Sequence, residues 1–323
     1  MRQTSPVIVF VGVHREAVDP FRWLLGNGEQ VVGLVTLEKD AMQGVSGAVD
    51  LEPLASAAGV PAMRVRKVND PACVAWIRAL EPDLLLVVGW TQLVKEELLK
   101  VPRIACLGFH ASLLPKYRGR APVNWALING ERETGNTMII LEPGADVGDI
   151  VAQRRIPIED DDDCGTLYEK VAKTEVDMLA EILPLIREGD LPRRKQDDSQ
   201  ATVMPKRRPE DGIIDWNLSA TRLHDWVRAL THPYPGAFAW LGGRKVFVWK
   251  TDPTATPTGA LPALPRARSG ALSVDDDGWP LVATGDGWLR IVRAQLEGEE
   301  ETDGREAARR WLKPGMALDR EVK

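Results

Sequence analysis

Cysteine is scarce in this chain of 323 residues: Cys73, Cys106 and Cys164 are the only three, and their spacings are unrelated. That excludes a disulfide framework and a zinc pattern, and it fits a reduced cytoplasm. Long apolar runs are missing too. The most apolar stretch, Leu84–Trp90, falls far short of a membrane span. The N-terminus runs straight into a strand-like segment, without the apolar region and small-residue site of a cleavable leader. There is no low-complexity tract, and no basic field to attract nucleic acid, since the net charge is −6. No Gly-x-Gly-x-x-Gly follows the first strand, which offers only Gly12 before His14, and there is no P-loop. No Ser or Cys stands in a nucleophile-elbow context, so covalent catalysis is not indicated. Direct transfer to a bound nucleophile is the simpler chemistry.

What is present is ordinary globular composition, 44% apolar and 27% charged, at a length that allows two domains. Val7–Val13, Gln30–Thr36, Leu84–Gly89 and Ile104–Phe109 are continuous apolar runs, the pattern of strands buried on both faces. Helical segments are expected between them at Val18–Leu25, Asp50–Ala58, from Asp70–Pro71 onward, and at Lys95–Leu99, with Glu38–Gly47 as loop. Strands alternating with helices imply a Rossmann-like, mostly parallel α/β sheet. Thr137–Leu141 and Ile150–Ile158 add strands, and a helix with a capping box at Thr166–Glu169 runs to about Gly189.

Residues 1–190 form the expected first domain, 191–209 a charged linker, and 210–323 a second domain. Arg187–Arg208 concentrates Arg187, Arg193, Arg194, Lys195, Lys206, Arg207 and Arg208, either a solvated linker or a surface for an anionic partner. Beyond it lie a helix at Ser219–Leu230, a hairpin turned at Gly242–Gly243, turns at Asp277–Gly278 and Asp286–Gly287, and a Pro-rich connection at Thr254–Ala267. Short strands with tight turns suggest a small β-barrel. Seven of the eleven tryptophans (Trp216, Trp226, Trp240, Trp249, Trp279, Trp288, Trp311) lie here, read as core packing in preference to base stacking.

Cys106–Asp149 concentrates acid/base groups and turn residues. His110 ends a predicted parallel strand, where open α/β sheets bind ligands. A carboxylate partner, Asp146, would let it move protons near neutral pH.

The run from His110 through HASLLPKYRGRAPVNWALINGE and TG-x-T, followed by DVGDIV, resembles the signature of the formyltransferases that use N10-formyltetrahydrofolate. PKRRPEDGIIDW and HPYPGAFAW-x-GG-x-KVFVWK resemble that family's C-terminal, OB-like β-barrel domain, so the resemblance covers nearly the whole chain. It implies acyl transfer from N10-formyltetrahydrofolate to an amine through a tetrahedral oxyanion, without a metal. His110 and Asp146 match the catalytic pair. Gly89, Trp90, Thr91 and Gln92 lie where main-chain groups meet the pterin, with Gly144, Ala145 and Val147 on its other flank. Ser112, Leu113 and Arg118 would face the substrate, although a structural ion pair for Arg118 is equally open.

One position departs from the pattern. The family has an Asn two residues before the histidine and this chain has Gly108. Losing one such donor costs roughly 2.7–4 kcal/mol of transition-state stabilisation. The enzyme could be slower or have lost the activity, a water could stand in, or Asn136 could replace the amide. The resemblance is nearest to enzymes that formylate nucleotide-linked 4-amino sugars, which makes the expected partner a small-molecule amine. Methionyl-tRNA is the runner-up: the basic linker lies where a tRNA enzyme would want charge, but the chain is acidic overall and Glu38–Gly47 has one lysine and no arginine where an RNA clamp should be basic. Hydrolysis of the folate, another small amine, and a non-enzymatic remnant complete the alternatives. A homodimer is an analogy only.

Overall fold

The structure is a computed structural model that describes residues 5–254 and 268–321. The Pro-rich connection expected at Thr254–Ala267 lies almost wholly outside the described residues. The chain divides into two compact units. The first comprises Met1–Val123, Arg132–Glu159 and Thr166–Lys206, and the second Asn124–Glu131, Asp160–Gly165 and Arg207–Lys323.

The first unit begins β1 (Ile8–Gly12), α1 (Val18–Gly26), β2 (Val31–Leu37), α2 (Lys39–Met42), α3 (Glu52–Ala57) and β3 (Ala62–Val65). It continues with α4 (Pro71–Ala79), β4 (Leu84–Val88), α5 (Glu96–Leu99), β5 (Ala105–His110) and β6 (Arg118–Gly119). α6 (Pro122–Ile128) runs into the second unit, and the first resumes with β7 (Glu133–Ile140), β8 (Ile150–Pro157), α7 (Cys164–Arg187), whose first residues belong to the second, and β9 (Val203–Met204). Seven strands form one sheet in the order β3-β2-β1-β4-β5-β7-β8. The first five are parallel, and β7 and β8 run antiparallel. The strand order reverses between β1 and β4, so their carboxyl ends form the switch point where such sheets receive ligands.

Alternation along the strands explains why the runs had to be apolar throughout. Ile8, Phe10, Leu84 and Leu86 feed one core with Phe21 of α1 and Leu179 of α7, while Val9, Val11, Leu85 and Val87 feed the other with Ile77 of α4. Each fully buried Leu, Ile or Phe contributes about 1.5–3 kcal/mol.

Several local expectations need correction. Glu38–Gly47 is not all loop, because Lys39–Met42 makes one helical turn. The strand at Ala62–Val65 escapes the apolar pattern because only Val65 is fully buried. Pro71 does open α4, but Asp70 makes no side-chain cap bond. The long helix starts at Cys164, two residues ahead of the expected capping box, with Asp163 accepting from the Gly165 N–H at 2.8 Å.

The second unit contains α8 (Ala220–Leu230), β10 (Ala237–Leu241), β11 (Arg244–Asp252), β12 (Leu272–Val274), β13 (Pro280–Ala283), β14 (Trp288–Leu296), β15 (Thr302–Asp303) and α9 (Gly304–Arg310). All three predicted turns are present. The antiparallel path is β10-β11-β14-β13-β12, with β15 beside β14. The second unit is an antiparallel β domain, as expected, but among the described residues no pairing between these strands closes it into a barrel. The β12 strand is only three residues long, and the C-terminal segment bridges the two sheet ends instead. Asp319 exchanges backbone hydrogen bonds with Trp240 at 2.8 and 2.9 Å, and the Leu318 N–H donates to Gly270 at 2.8 Å. Trp216, Trp249 and Trp288 are buried and the other four are half-buried, in keeping with packing.

Candidate active site

His110 is the last residue of β5, and its ring is held at both nitrogens. Nε2 lies 2.6 Å from the Tyr117 carbonyl, and Nδ1 lies 3.6 Å from Asp146 Oδ1. A carbonyl can only accept, so Nε2 carries the hydrogen. In the neutral ring Nδ1 is then a lone pair facing a carboxylate, at a distance beyond a hydrogen bond. A proton taken up at Nδ1 turns that contact into a charged pair. The arrangement is a proton acceptor with a counter-charge already in place.

The loop that carries Tyr117 is pinned from within. Ser112 Oγ donates to the Lys116 carbonyl at 2.7 Å, and Thr137 Oγ1 to the Ser112 carbonyl at 2.6 Å. Gln153 Nε2 donates to the Leu114 carbonyl and to Thr137 Oγ1, both at 2.9 Å. The Leu114–Pro115 bond is cis and Tyr117 has φ +60°. The Tyr117 N–H donates to Thr202 Oγ1 at 2.8 Å.

Asp146 sits in a turn at φ +58°, a conformation that non-glycine residues seldom adopt and that surrounding bonds must hold. Its Oδ2 accepts from the Gly119 N–H at 2.8 Å. Gln196 Nε2 donates to the carbonyls of Asp146 and Gly148, at 2.8 and 2.7 Å. Arg118 in turn donates to Gln196 Oε1, at 2.8 Å from Nη2 and 3.1 Å from Nε, and to Asp198 Oδ1 at 2.7 Å. Gln196 and Thr202 were missed by the sequence reading. They lie in the charged stretch taken for a linker, where no apolar period marks them.

Four assignments change. Arg118 is buried and its guanidinium is committed to Gln196 and Asp198, so it orients the Asp146 turn and does not face a substrate. Ser112 is 1% exposed and staples its own loop. Leu113 packs over Gly135, where an added Cβ would lie 2.4 Å from Leu113 Cδ2. Asn136 cannot replace the missing amide: Thr137 is the residue opposite His110, so alternation turns Asn136 to the other face. There its Nδ2 donates to Thr174 Oγ1 at 3.1 Å and to the Val171 carbonyl at 3.4 Å.

Gly108 pairs with Val87 and Ile139 inside the sheet. A Cβ there would lie 2.6 Å from Leu141 Cδ2 and 3.0 Å from Leu141 Cγ. The space beside Gly108 therefore holds the Leu141 side chain.

The segment assigned to the pterin follows β4. Gly89 has φ +55°, and its carbonyl accepts from the His14 N–H at 3.2 Å. The Thr91 carbonyl accepts from Arg120 Nη1 at 2.6 Å, and the Gln92 side chain ties to the Val68 N–H and the Arg66 carbonyl at 3.0 and 2.8 Å. Trp90 Nε1 is buried with no acceptor among the described residues, which leaves a donor for a heterocycle edge. Gly144, Ala145 and Val147 are exposed. The residues present fit the ring in offering an unpaired N–H beside a strand end.

Residues 21–183 match the model of the formyl transferase family, and residues 206–311 that of the formyl transferase C-terminal domain. The chain belongs to the formyltransferase family. It is an N-formyltransferase, and formyl-tetrahydrofolate is the family's one-carbon donor. Over 301 residues it is 38% identical to the methionyl-tRNA formyltransferase of Citrifermentans bemidjiense, covering 92% of this chain and 91% of that one. Among solved structures, an N-formyltransferase from Helicobacter canadensis in complex with folinic acid and dTDP-3-aminofucose superposes with a TM-score of 0.67. It is 18% identical, over 90% of this chain and 98% of that one. HypX from Aquifex aeolicus superposes with a TM-score of 0.66 at 18% identity, over 98% of this chain and 49% of its own, so this chain spans about half of HypX. At that identity both show the fold alone. Among the described residues no helix is long and apolar enough to cross a membrane, and no cluster of His, Cys, Asp and Glu could hold a metal ion.

Proposed function

We propose that this N-formyltransferase transfers the formyl group of N10-formyltetrahydrofolate to the amino group of methionyl-tRNA. The observation that carries the reading is the likeness to methionyl-tRNA formyltransferases, 36–38% identical over 91–96% of this chain. This departs from the amino-sugar substrate that the sequence motifs suggested. Sugar enzymes enter only as structural neighbours at 18% identity.

The charge argument against RNA is also weaker in three dimensions. Glu38 and Asp40, the acids of the loop that was expected to be basic in an RNA clamp, are both paired with Arg66. The basic stretch Arg187–Arg208 supports phosphate contact.

When bound, the folate supplies a formyl carbon open to attack by nitrogen. In the reaction His110 takes the amine proton at Nδ1 as the nitrogen bonds the formyl carbon, Asp146 stabilises the charge that results, and His110 returns the proton to N10 as the bond from N10 to that carbon breaks. Gln196 and Arg118 hold Asp146 in place. With Leu141 beside Gly108 no side-chain amide assists, so the chemical step is slower by up to the roughly 2.7–4 kcal/mol such a donor contributes.

The test is tetrahydrofolate release from N10-formyltetrahydrofolate, followed with methionyl-tRNA, with nucleotide-linked amino sugars, and with no amine. Release that needs methionyl-tRNA is expected. Release with a sugar alone, or without any amine, overturns the reading. The sugar reading keeps one observation of its own: Glu38–Gly47 contributes a single lysine to that surface.

A further inference from the structure

Arg118, Gly119 and Arg120 are consecutive, and each is bonded to a different part of the first unit. The ribbon runs alongside β9: the Arg118 N–H donates to the Thr202 carbonyl at 2.8 Å and the Arg120 N–H to the Met204 carbonyl at 3.2 Å. The Gly119 N–H turns away from β9 and donates to Asp146 Oδ2 at 2.8 Å. A Cβ at position 119 would lie 2.5 Å from the Met204 carbonyl oxygen, and φ there is +102°, so this close approach needs glycine. Tyr117 and Ala121, on either side, also have positive φ, +60° and +52°. Two non-glycine residues in that region so close together are costly, and only surrounding bonds can hold them there.

The two arginine side chains of this ribbon go separate ways. Arg118 is buried and bonded to Gln196 and Asp198, behind the Asp146 turn. Arg120 is exposed, and its Nη1 donates to the Thr91 carbonyl at 2.6 Å. A guanidinium bonded to a carbonyl makes a charge-assisted contact, roughly twice as strong as a neutral one. Thr91 lies in the segment after β4, where the family resemblance puts the pterin. That segment is anchored from the β1 and β3 side of the sheet. The Gly89 carbonyl accepts from the His14 N–H, and the Gln92 side chain is tied to Val68 and Arg66. Arg120 approaches it from the β5 side, crossing from the loop that holds Asp146 to the segment expected to hold the donor.

We propose that Arg120 is a positioning residue that sets the one-carbon donor against the His110–Asp146 pair. This rests on the reading of Gly89–Gln92 as the donor segment. The folate carries the formyl carbon, whereas β5 and the loop after it carry the proton acceptor. Each is fixed on its own side of the strand ends, and the bond from Arg120 to Thr91 fixes one against the other. The same bond keeps the Thr91 peptide in one orientation. The donor then meets a segment already in its bound shape, and less freedom is lost on binding. No atom of Arg120 need touch either substrate.

The experiment measures donor binding apart from turnover. Folinic acid, an isomer of the donor with its formyl group on N5, is titrated by calorimetry into wild type, Arg120→Ala and Arg120→Lys. In Arg120→Ala its affinity should fall about tenfold, the size expected from one lost hydrogen bond to a charged group. With N10-formyltetrahydrofolate, KM for the donor should rise and kcat should fall by about 10²-fold, while KM for the acceptor amine stays the same. Arg120→Lys keeps a charged donor and should recover most of both losses. The side chain is exposed, so neither variant should melt below the wild type. Because Gly119 still holds Asp146, the pH midpoint of kcat should also stay in place. Unchanged folinic acid affinity in Arg120→Ala, a loss confined to the KM of the acceptor, or a displaced pH midpoint each overturns the proposal. A wild type that binds no folinic acid overturns the donor-segment reading, and the role of Arg120 with it. A wild type and Arg120→Ala that bind it equally well overturn the role of Arg120 alone.

Discussion

Leu141 fills the space that a side chain at position 108 would need, with its Cδ2 lying 2.6 Å from where a Cβ would stand. The two positions are coupled by volume, so a side chain at 108 requires Leu141 to shift. Gly108→Asn should lower the thermal midpoint, since overpacking a tight interior typically costs about 1–3 kcal/mol. Combining it with Leu141→Ala should recover most of that loss and raise the rate of formyl transfer above wild type. A double variant no faster than the wild type would show that the amide is not what limits the rate.

Asp146 lies 3.6 Å from His110 Nδ1, placed to stabilise a proton taken up there. Asp146→Asn should leave the fold intact, because Gly119 can still donate to an amide oxygen at the same place. Turnover should fall by about 10²–10⁴-fold, the usual contribution of general acid–base catalysis. Full activity in this variant would remove the His110–Asp146 pair from the mechanism.

Gln196 acts through the Asp146 turn, since both its amide hydrogens are spent on the carbonyls of Asp146 and Gly148. Gln196→Leu should lower kcat by about 10²-fold with little change in KM, the size of effect expected when a reacting group is displaced by about 1 Å. Equal losses in kcat and KM would point to a binding role instead.

Stability should depend on pH through Glu175. Its carboxyl is raised in the folded chain, chiefly by burial and then by Glu16. Below the ordinary carboxylate value both states hold the proton, and the contribution is fully present. As pH rises the unfolded chain releases it first, so stability falls through the window up to the folded value. Glu175→Gln should flatten this slope, compared by urea midpoints at about pH 5 and about pH 8.

All three thiols should resist labelling in the folded protein at about pH 8. Burial pushes Cys73 up to about 11, Cys106 up to about 12, and Cys164 higher still. Labelling should appear only with unfolding, and rapid reaction of any one thiol in the native state would contradict its burial.

The strands of the first unit were readable because each is buried on both faces and so had to be apolar at every position. The edge strand at Ala62–Val65 was not, because a half-buried strand needs no such run. His110 and Asp146 were legible from motif and strand-end position. Their supports were not: Gln196 and Thr202 act through single bonds to backbone, which leave no periodic trace. Gly108 looked like a vacancy in one dimension because Leu141, the residue that fills it, is 33 positions away in the chain.

The stretch after the long helix looks like a tether, yet it pairs β9 with β6 and clamps the turn that carries Asp146. A chimera that exchanged the C-terminal unit at residue 190 would carry off Gln196, Asp198 and Thr202 and arrive catalytically loose, however well both halves folded. A cut after Lys206 keeps those residues with the first unit, although Asn124–Glu131 and Asp160–Gly165, which belong to the second, stay behind with them. The peptide that leaves the long helix is thus part of the first unit's architecture, since Gln196 and Thr202 hold the loops that carry Asp146 and Tyr117.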